Sequence, residues 1–439
     1  MKWYNKIGLS IFIMYIVFGI VFDAYYGEWE YGSAVIYWKA HYMMQGEPIY
    51  PPVLEKLSHP WIYMPISAIL FAIQYHLSHG SQKLFAILGM FTFAASALIT
   101  GFAATKLHKK DVTFLTAGAF VFPLMITWFG FLPRADSIAV LFLSIAVYYY
   151  IDNNDKMTLL FYALSFLSKQ SYFLTIPLLY LFSKRYIDAI KAAMLPPFLY
   201  ALCFFIPNFK ENNYYYMIGS IEVLKHINIV LIAQLVIIAV LASGFLYYLF
   251  GLVKRKEFFY TAIVMTIIIT YFMTKPGSTY YYMYPLLILY SLGAAKVSEI
   301  KKINLKFLLA LTISFMIQIA YSSPIYDRAP AKKEVFEIIK DKKVFSGDTA
   351  FDYEHIDYFP YNVYAEMGLW DWSTITTRFS DQYYDYIVVS YIMFDEKTGV
   401  FYSERVPLKV YGYIISYYTD YTTIQKGTNV YFILTPMHH

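Results

Sequence analysis

The chain has 439 residues, of which 59% are hydrophobic and only 15% charged, and its mean hydropathy is +0.46. So little charge excludes an ordinary soluble globular protein, and a dispersed net charge of +5 indicates no nucleic-acid partner. The single cysteine, Cys203, lies in an apolar stretch, which excludes a disulfide framework and a cysteine-based metal site.

Apolar runs that approach the roughly 20 residues needed to cross a bilayer recur along the first three quarters of the chain. The first covers residues 7–22; Lys2 and Lys6 precede it and no small-residue cleavage site follows, which favours a retained helix over a signal peptide. The others cover residues 84–105, 112–131, 136–151, 229–250, 258–274, 280–295 and 305–322. The sequence therefore predicts a polytopic α-helical membrane protein with about 10–12 membrane segments, some re-entrant.

Basic clusters predict the orientation of these segments, because Lys and Arg gather on the cytoplasmic side. The clusters lie in residues 2–6, 106–110, 184–191, 254–256 and 296–306. Alternation then places on the outer side the loops 23–60, 133–136, 208–228 and 275–278, and all residues after about 323. We therefore expect a multi-pass protein of the cell membrane whose C-terminal part is extracytoplasmic.

Two segments do not fit simple alternation. The apolar run 158–183 is interrupted by Lys169 and Gln170 while both its flanks are cytoplasmic, so we predict a broken hairpin whose apex carries these two residues outward. If residues 61–78 cross fully, the cluster around Lys106 falls outside. Either this segment is re-entrant or interfacial, or the Lys106 cluster is an exception to the cytoplasmic location of basic residues.

A second domain is predicted where the composition changes, after Ser322-Ser-Pro324. Residues 1–323 then form the transmembrane module, and residues 324–439 form an extracytoplasmic mixed α/β domain. Within it, residues 329–339 predict an amphipathic helix with Pro330 in its first turn. Strands are predicted at residues 344–346, 386–393, 410–417 and 430–434.

Three carboxylates follow the first apolar run: Asp23, Glu28 and Glu30 lie within eight residues, beside tyrosine and tryptophan. Carboxylates at the mouth of a membrane segment are costly unless they serve a function. They suit a general base that deprotonates a hydroxyl, or a cation ligand. The structural alternative is a solvated turn, in which Asp23 is an ordinary helix-end residue.

Three cations are predicted to lie on the same outer side: Arg134, Lys169 and Lys275. An anionic phosphate needs such partners, and Asp136 and Gln170 accompany them in the sequence. Each has a structural alternative. Arg134 and Asp136 could pair at a helix start, where the helix dipole favours the carboxylate; Lys169 could extend to the interface; and Lys275 could be a loop charge.

Metal-ligand patterns are weak in this sequence. His41 and His59 share the first outer loop but lack paired ligand spacing. The run from Asp352 to Asp357 contains four candidate ligands, Asp352, Glu354, His355 and Asp357, but strand alternation divides them between two faces, which favours a solvated edge. We therefore predict no defined metal site.

Several short motifs in the first half of the chain resemble membrane glycosyltransferases of the GT-C superfamily. Glu30-Tyr-Gly32, Trp38 and Gly46-Glu-Pro-Ile-Tyr50 resemble the first outer loop of the dolichyl-phosphate-mannose–protein mannosyltransferase and aminoarabinose-transferase type. Other steps are similar to Tyr-Pro-Pro-Leu, Arg-x-Asp and Thr-Lys-Gln of that family: Tyr63-Met-Pro65, Arg134-Ala-Asp136 and Ser168-Lys-Gln170.

The resemblance continues into the second half of the chain. Lys275-Pro-Gly277 resembles an outer-loop Pro-Gly step, although Ser278 replaces the expected asparagine. The tail around Ser346-Gly-Asp348 and Gly368-Leu-Trp-Asp371 resembles the appended outer domain of these enzymes. The motifs thus extend over nearly the whole chain, and their order and shared side of the membrane carry the resemblance.

The resemblance implies a GT-C fold and an inverting sugar transfer on the outer face. The donor would be a polyprenyl- or dolichyl-phosphate-linked sugar, and the acceptor a glycan, lipid or protein. It implies a base among the first-loop acids: Glu30 fits the spacing to glycine, and Asp23 fits an aspartate directly after the first helix. Many members use a divalent cation, so Mg²⁺ or Mn²⁺ is compatible with this prediction, but nothing in the sequence requires one.

The residues themselves also allow a secondary transporter or lipid flippase, in which intramembrane charges and broken helices are common. A catalytically inactive assembly or receptor subunit is a third alternative. Location discriminates between the first two classes, because transport sites lie near the bilayer midplane. For a transferase, the charges are expected at one membrane face, with donor phosphate at Arg134, Lys169 or Lys275 and Tyr63 and Gln170 lining the site.

Overall fold

The computed structural model describes most of the chain, and all structural statements below concern this part. The described residues are 1–26, 31–51, 61, 63–127, 134–214, 248–273, 284–299, 334–335, 337–339, 342–346, 356–358, 372–390, 392–395, 400–403, 408–426 and 429–437. Contacts divide the chain into two compact units. The first comprises Met1–Tyr25, Tyr63–Ile206 and Ser220–Gln318; the second comprises Tyr26–Ile62, Pro207–Gly219 and Ile319–His439.

The first unit is a bundle of helices. Among the described residues, three helices are long and apolar enough to cross a membrane: Trp3–Val21, Gln82–His108 and Tyr186–Cys203. The protein is therefore mainly helical and suited to membrane association. The helices, in chain order, are α1 (Trp3–Tyr26), α2 (Tyr31–Met44, in the second unit), α3 (Pro65–Leu77), α4 (Gln82–His108), α5 (Thr113–Thr127), α6 (Ala135–Ile151), α7 (Asp155–Ser168), α8 (Thr175–Phe182), α9 (Tyr186–Cys203), α10 (Lys256–Met273) and α11 (Tyr284–Gly293).

Local sequence accounts for several helix ends. Ser81 caps α4 by accepting a hydrogen bond from the Leu84 amide, and Asn154 caps α7 by accepting one from the Met157 amide. Pro65 begins α3, where its fixed φ suits a first helical turn. Lys109, at the end of α4, adopts a left-handed conformation with φ +50°, which stops that helix.

Helices α1 and α5 approach so closely that only glycine fits at their crossing. A Cβ atom added at Gly118 would lie 2.7 Å from the carbonyl oxygen of Gly8, and one added at Gly8 would collide with the backbone of Phe114. Asn5 also joins these helices, because its amide donates to the Asp111 carbonyl and its oxygen accepts from the Leu115 amide. Small residues at such crossings are typical of membrane helices, whose association depends on close packing.

The order of contacts along α4, α6, α7 and α8 defines two ends of this bundle. Helices α4 and α6 run parallel, since Thr100 donates to Ser144 and Lys106 pairs with Asp152. Helices α7 and α8 form an antiparallel hairpin, since Tyr162 donates to the Phe173 carbonyl. The predicted break of this hairpin at Lys169 is confirmed, because α7 ends at Ser168 and α8 begins at Thr175.

Helix α3 accounts for the ambiguous segment 61–78. It has 13 residues, fewer than a full crossing requires, and it packs antiparallel to the first part of α4, with the rings of Phe71 and Phe85 5.9 Å apart. Gln74 donates to the Phe85 carbonyl at 2.6 Å. This geometry favours a short, re-entrant or interfacial helix over a complete crossing.

The C-terminal part of the second unit contains a five-stranded mixed sheet in the order β2-β1-β3-β7-β6. Its strands are β1 (Val344–Ser346), β2 (Ile356–Tyr358), β3 (Tyr386–Ser390), β6 (Asp420–Lys426) and β7 (Asn429–Thr435). Strands β2, β1 and β3 are parallel, with Phe345 opposite Ile387, and β3, β7 and β6 are antiparallel. A separate hairpin consists of β4 (Ile392–Asp395) and β5 (Val400–Ser403).

Helices cover both faces of this sheet. Val335 and Ile339 pack on Val344 and Val388 on one face. On the other, the rings of Phe345 and Phe379 are 5.0 Å apart, and Phe379 belongs to helix α12 (Trp372–Ser380). This arrangement is a mixed α/β fold, in agreement with the predicted class of the C-terminal part.

Three of the four predicted strands lie where they were expected, although residues 386–393 divide between β3 and β4. The fourth prediction, a strand at residues 410–417, is wrong, because Leu408–Tyr417 forms helix α13. Ile414, in this helix, and Tyr418, directly after it, are both buried, and the ring of Tyr418 lies 6.2 Å from that of Phe379 in α12. Tertiary packing thus overrides the β propensity of this tyrosine- and isoleucine-rich segment. The predicted domain boundary at residue 323 lies outside the described residues.

Candidate functional site

A buried ion pair joins two of the residues singled out by the sequence. The Lys169 ammonium donates to Asp136 Oδ2 at 2.6 Å, and the two side chains are only 6% and 3% exposed. Tyr172 donates its hydroxyl to the other carboxylate oxygen, Oδ1, at 3.0 Å. Both oxygens of Asp136 are therefore bound by donors from the α7–α8 connection.

Two further predicted residues complete this group, which we name the Asp136 cluster. Arg134 is buried two positions before Asp136, and its positive charge acts on Lys169. The ring of Tyr63, just before α3, lies under the Lys169 ammonium at 5.6 Å, a cation–π distance. The Asp136 cluster thus brings together two cations (Arg134 and Lys169), one carboxylate (Asp136) and two phenols (Tyr63 and Tyr172).

The local sequence explains how these side chains meet. Arg134 is extended immediately before α6, and Ser137 donates its hydroxyl back to the Arg134 carbonyl at 2.7 Å. Asp136 consequently lies in the first turn of α6, where the helix dipole favours a carboxylate. Lys169 is extended directly after α7, and Ser165 donates to the Ala139 carbonyl, which joins α7 to α6.

The Asp136 cluster lies at the N-terminal end of α6. Asp152, at the opposite end of α6, lies 16 positions later, which is about 24 Å along the helix axis at 1.5 Å per residue. There it pairs with Lys106. The last turns of α1, which contain Asp23, also lie away from the end of the bundle that contains Asn5 and Lys106.

The remaining predicted site residues are less fully described. Gln170 follows Lys169 in the α7–α8 connection and is partly buried. Asp23 lies in α1, but only its backbone is described. Glu28, Glu30 and Lys275 lie outside the described residues. Sequence reasoning missed Tyr172, which a search for hydroxyls within three residues of Lys169 would have found.

Metal ligands are not gathered anywhere in the described part of the chain, where no group of three or more His, Cys, Asp or Glu side chains has suitable geometry. His41 instead contacts Gln45, with 2.9 Å between Nε2 of each, and its ring lies 5.3 Å from that of Trp38. His59 lies outside the described residues. Both oxygens of the Asp136 carboxylate are bound by donors, and its negative charge is paired with the Lys169 ammonium.

A second polar group, missed by sequence reasoning, lies in the segment between α1 and α3. Lys39, on α2, is only 1% exposed, and its ammonium donates to the Pro48 carbonyl at 2.8 Å. Burial lowers the pKa of Lys39 from its ordinary value of 10.5 to about 8, against an opposing effect of nearby Glu47. A buried amine of this kind is close to losing its charge at mildly alkaline pH.

The shifted pKa of Lys39 predicts a pH-dependent stability. The unfolded chain keeps the lysine proton up to pH 10.5 and the folded chain only up to about 8, so the unfolded state binds more protons between these values. The free energy of unfolding should therefore rise with pH in this window, by up to about 3 kcal/mol. Below pH 8 the cost of burying the charge is fully present.

Replacing Lys39 with Met should remove this dependence. We expect the stability of the wild type relative to Lys39→Met to increase between pH 8 and 10.5 in denaturant titrations. The exposed Lys6 provides a matched control, Lys6→Met, which should follow the wild type at every pH. A constant difference between wild type and Lys39→Met would contradict the buried position of this amine.

Comparison with protein-family models and with curated proteins finds no match to this chain.

Proposed function

We propose that the chain is an integral-membrane glycosyltransferase of the GT-C type, which transfers a sugar from a polyprenyl- or dolichyl-phosphate donor to an acceptor hydroxyl. The observation that carries the proposal is the Asp136 cluster, where Arg134 and Lys169 are buried together at one end of the helical unit. A lipid phosphate that reaches this end between the helices would meet two cations in a site of low water content.

The energetics of the Asp136 cluster favour a functional role over a stabilising one. A buried ion pair usually adds little stability compared with apolar side chains of the same volume. Ionisable residues within a membrane domain are for the same reason concentrated at functional sites. Asp136 accepts hydrogen bonds from Lys169 and Tyr172, and this arrangement holds the Lys169 ammonium in a defined orientation. Recognition of a phosphate requires such an orientation.

The location of the cluster supports transfer at a membrane face over transport through the midplane. About 24 Å of helix α6 separates Asp136 from the Asp152–Lys106 pair, and the hydrocarbon core is about 30 Å thick. A midplane site would lie about 15 Å from either edge. With the Asp152–Lys106 pair at one edge, as the basic cluster around Lys106 predicts, this distance favours a position of the Asp136 cluster nearer to the other edge.

In the proposed reaction the acceptor hydroxyl oxygen attacks the anomeric carbon of the donor sugar. The bond from that carbon to the phosphate oxygen breaks, and its electron pair leaves with the lipid phosphate, whose charge Arg134 and Lys169 stabilise. The hydroxyl proton passes to a carboxylate of the first outer loop, Asp23, Glu28 or Glu30. In-line attack inverts the configuration at the anomeric carbon.

Finer features of the protein belong to the same proposal. We expect about 10–12 membrane segments, a location in the cell membrane, and an extracytoplasmic C-terminal domain. Acceptors would be glycans, lipids or proteins. Mg²⁺ or Mn²⁺ is compatible with the proposal, because a divalent cation can bind the donor phosphate.

Binding of undecaprenyl phosphate to the purified full-length protein in nanodiscs tests the proposed site. We expect Lys169→Met to weaken binding by about 10- to 100-fold, the value of one charge-assisted hydrogen bond. Lys106→Met is the matched control, because Lys106 also pairs with an aspartate of α6, at its other end. This control should bind the lipid with wild-type affinity.

Turnover tests the reaction itself. Release of polyprenyl phosphate from dolichyl-phosphate mannose and from undecaprenyl-phosphate aminoarabinose should depend on the first-loop acids, and Asp23→Asn, Glu28→Gln and Glu30→Gln tested singly should identify the base. Full activity of all three single variants would contradict the mechanism. A transporter would be indicated by two results together. Lys169→Met and Lys106→Met would bind the lipid with equal affinity, and the protein would take up substrate into proteoliposomes.

A further inference from the structure

Three backbone carbonyls of the segment 48–51 accept hydrogen bonds from side chains elsewhere in the second unit. Lys39 donates to the Pro48 carbonyl at 2.8 Å, Asn208 to the Tyr50 carbonyl at 3.1 Å, and Asn212 to the Pro51 carbonyl at 2.8 Å. We name Lys39, Asn208 and Asn212 the clasp. Prolines at 48, 51 and 52 preclude a regular ladder of backbone hydrogen bonds, so these carbonyls need side-chain donors when buried.

Asn212 binds the chain at two points that are ten positions apart. Its amide nitrogen donates to the Pro51 carbonyl, and its amide oxygen accepts from the Trp61 backbone N–H at 3.1 Å. One fully buried side chain therefore holds Pro51 and Trp61 close to each other. The ring of Tyr50 meets that of Phe209 edge-on at 5.1 Å, which adds an apolar contact beside these polar ones.

The backbone that presents the two asparagines is unusual. Asn208 has φ +57°, in the left-handed region that asparagine adopts more readily than most residues. A π-helix follows at Lys210–Tyr214, and its Asn212 and Asn213 are fully buried. Short π-helical turns occur frequently at functional sites. Burying two amides and a lysine is costly unless their hydrogen bonds serve a defined geometry.

We propose that the clasp positions the first outer loop for catalysis, so that Lys39, Asn208 and Asn212 are positioning residues of the enzyme. This inference rests on the proposed function. Glu28 and Glu30 directly precede α2 in the sequence, and α2 carries Lys39. The clasp joins α2 to Pro48, and it joins residues 50–51 and 61 to the 208–212 segment. It therefore holds in place the helix that directly follows Glu28 and Glu30 in the sequence, two of the three candidates for the acceptor's base. None of its members touches the reacting atoms.

Two variants and one control test the clasp in the full-length protein. Asn212→Ala removes both long-range bonds of this side chain, and Lys39→Met keeps the apolar stem while removing the donor. Asn5→Ala is the matched control, because Asn5 is also fully buried and also binds two backbone groups, but in the helical unit. Asn5→Ala and Asn212→Ala should lower Tm by similar amounts.

Turnover and hydrogen exchange distinguish positioning from stability. We expect Asn212→Ala and Lys39→Met to reduce kcat about tenfold or more while undecaprenyl-phosphate affinity is unchanged, and Asn5→Ala to keep wild-type kcat. In ¹⁵N-tryptophan-labelled protein, the Trp61 amide should exchange about tenfold faster in Asn212→Ala and at the wild-type rate in Asn5→Ala.

Each adverse result has a separate meaning. Equal loss of kcat in Asn5→Ala and Asn212→Ala would overturn the positioning role, because the loss would then follow stability alone. An unchanged Trp61 amide exchange rate in Asn212→Ala would overturn the clasp itself. If the wild type releases no polyprenyl phosphate from either donor, the proposed function fails and the positioning role with it, whereas the Trp61 measurement still reports whether the clasp forms.

Discussion

Replacing either partner of the Asp136–Lys169 pair should destabilise the protein by about 3–5 kcal/mol, because the remaining charge stays buried without its counterion. The double variant Asp136→Leu/Lys169→Met should cost far less than the sum of the two single changes, since it buries apolar groups of similar size. A double-mutant cycle of unfolding free energies, measured by denaturant titration in detergent micelles, gives the coupling directly.

The Lys106–Asp152 pair is the control for this cycle. Its side chains are 40% and 38% exposed, compared with 6% and 3% for Lys169 and Asp136, so solvent screens the interaction. We expect a coupling of about 1 kcal/mol or less. Similar couplings for the two pairs would contradict the burial of the Asp136 cluster.

The same double variant separates stability from function. If the cluster binds lipid phosphate, Asp136→Leu/Lys169→Met should remain folded yet bind undecaprenyl phosphate as weakly as Lys169→Met alone. Retention of wild-type affinity in the folded double variant would show that these charges do not recognise the lipid. This outcome would leave the helical fold unaffected and remove the main support for the transferase.

The crossing of α1 and α5 provides the second large effect. Gly118→Ala places a methyl group 2.7 Å from the Gly8 carbonyl oxygen, closer than van der Waals contact allows. The helices must separate, and overpacking of this kind typically costs about 1–3 kcal/mol. This loss should exceed the gain of about 1 kcal/mol that alanine brings to a helix interior. Gly118→Val should cost more.

Gly412→Ala tests the same substitution without the crossing. Gly412 lies within α13, is exposed, and a Cβ atom added there meets nothing within 4 Å. We expect this variant to raise the free energy of unfolding by about 0.5–1 kcal/mol, through helix propensity alone. Effects of the same sign for Gly118→Ala and Gly412→Ala would mean that α1 and α5 are farther apart than described.

Features encoded within a few neighbouring residues were predictable. Lys169 and Gln170 interrupt an apolar run, and this interruption predicted a break in the helix. The helix ends there, because Lys169 is extended directly after α7. Arg134 and Asp136 were expected at a helix start, and α6 begins at Ala135. The runs of β-branched and aromatic residues around Val388 and Ile433 likewise predicted strands that the sheet contains.

Local patterns failed where distant contacts decide the conformation. Residues 410–417 have the composition of a strand, yet they form α13 because Ile414 and Tyr418 are buried together. The clasp was not predicted, since nothing near Asn212 in the sequence indicates that its partner carbonyl, Pro51, is 161 positions away. The burial of Lys39 was not predicted either, because it depends on how α2 packs in the fold.

The sequence by itself determined that this is a mainly helical chain suited to a membrane, with a mixed α/β part near its C-terminus, because hydropathy and periodicity act over short windows. Only the tertiary structure decided that Lys169 meets Asp136 rather than solvent, and that Asn208 and Asn212 bind the carbonyls of residues 50 and 51. Such pairings depend on which helix ends come together, and burial then sets their strength by removing the water that would otherwise screen them.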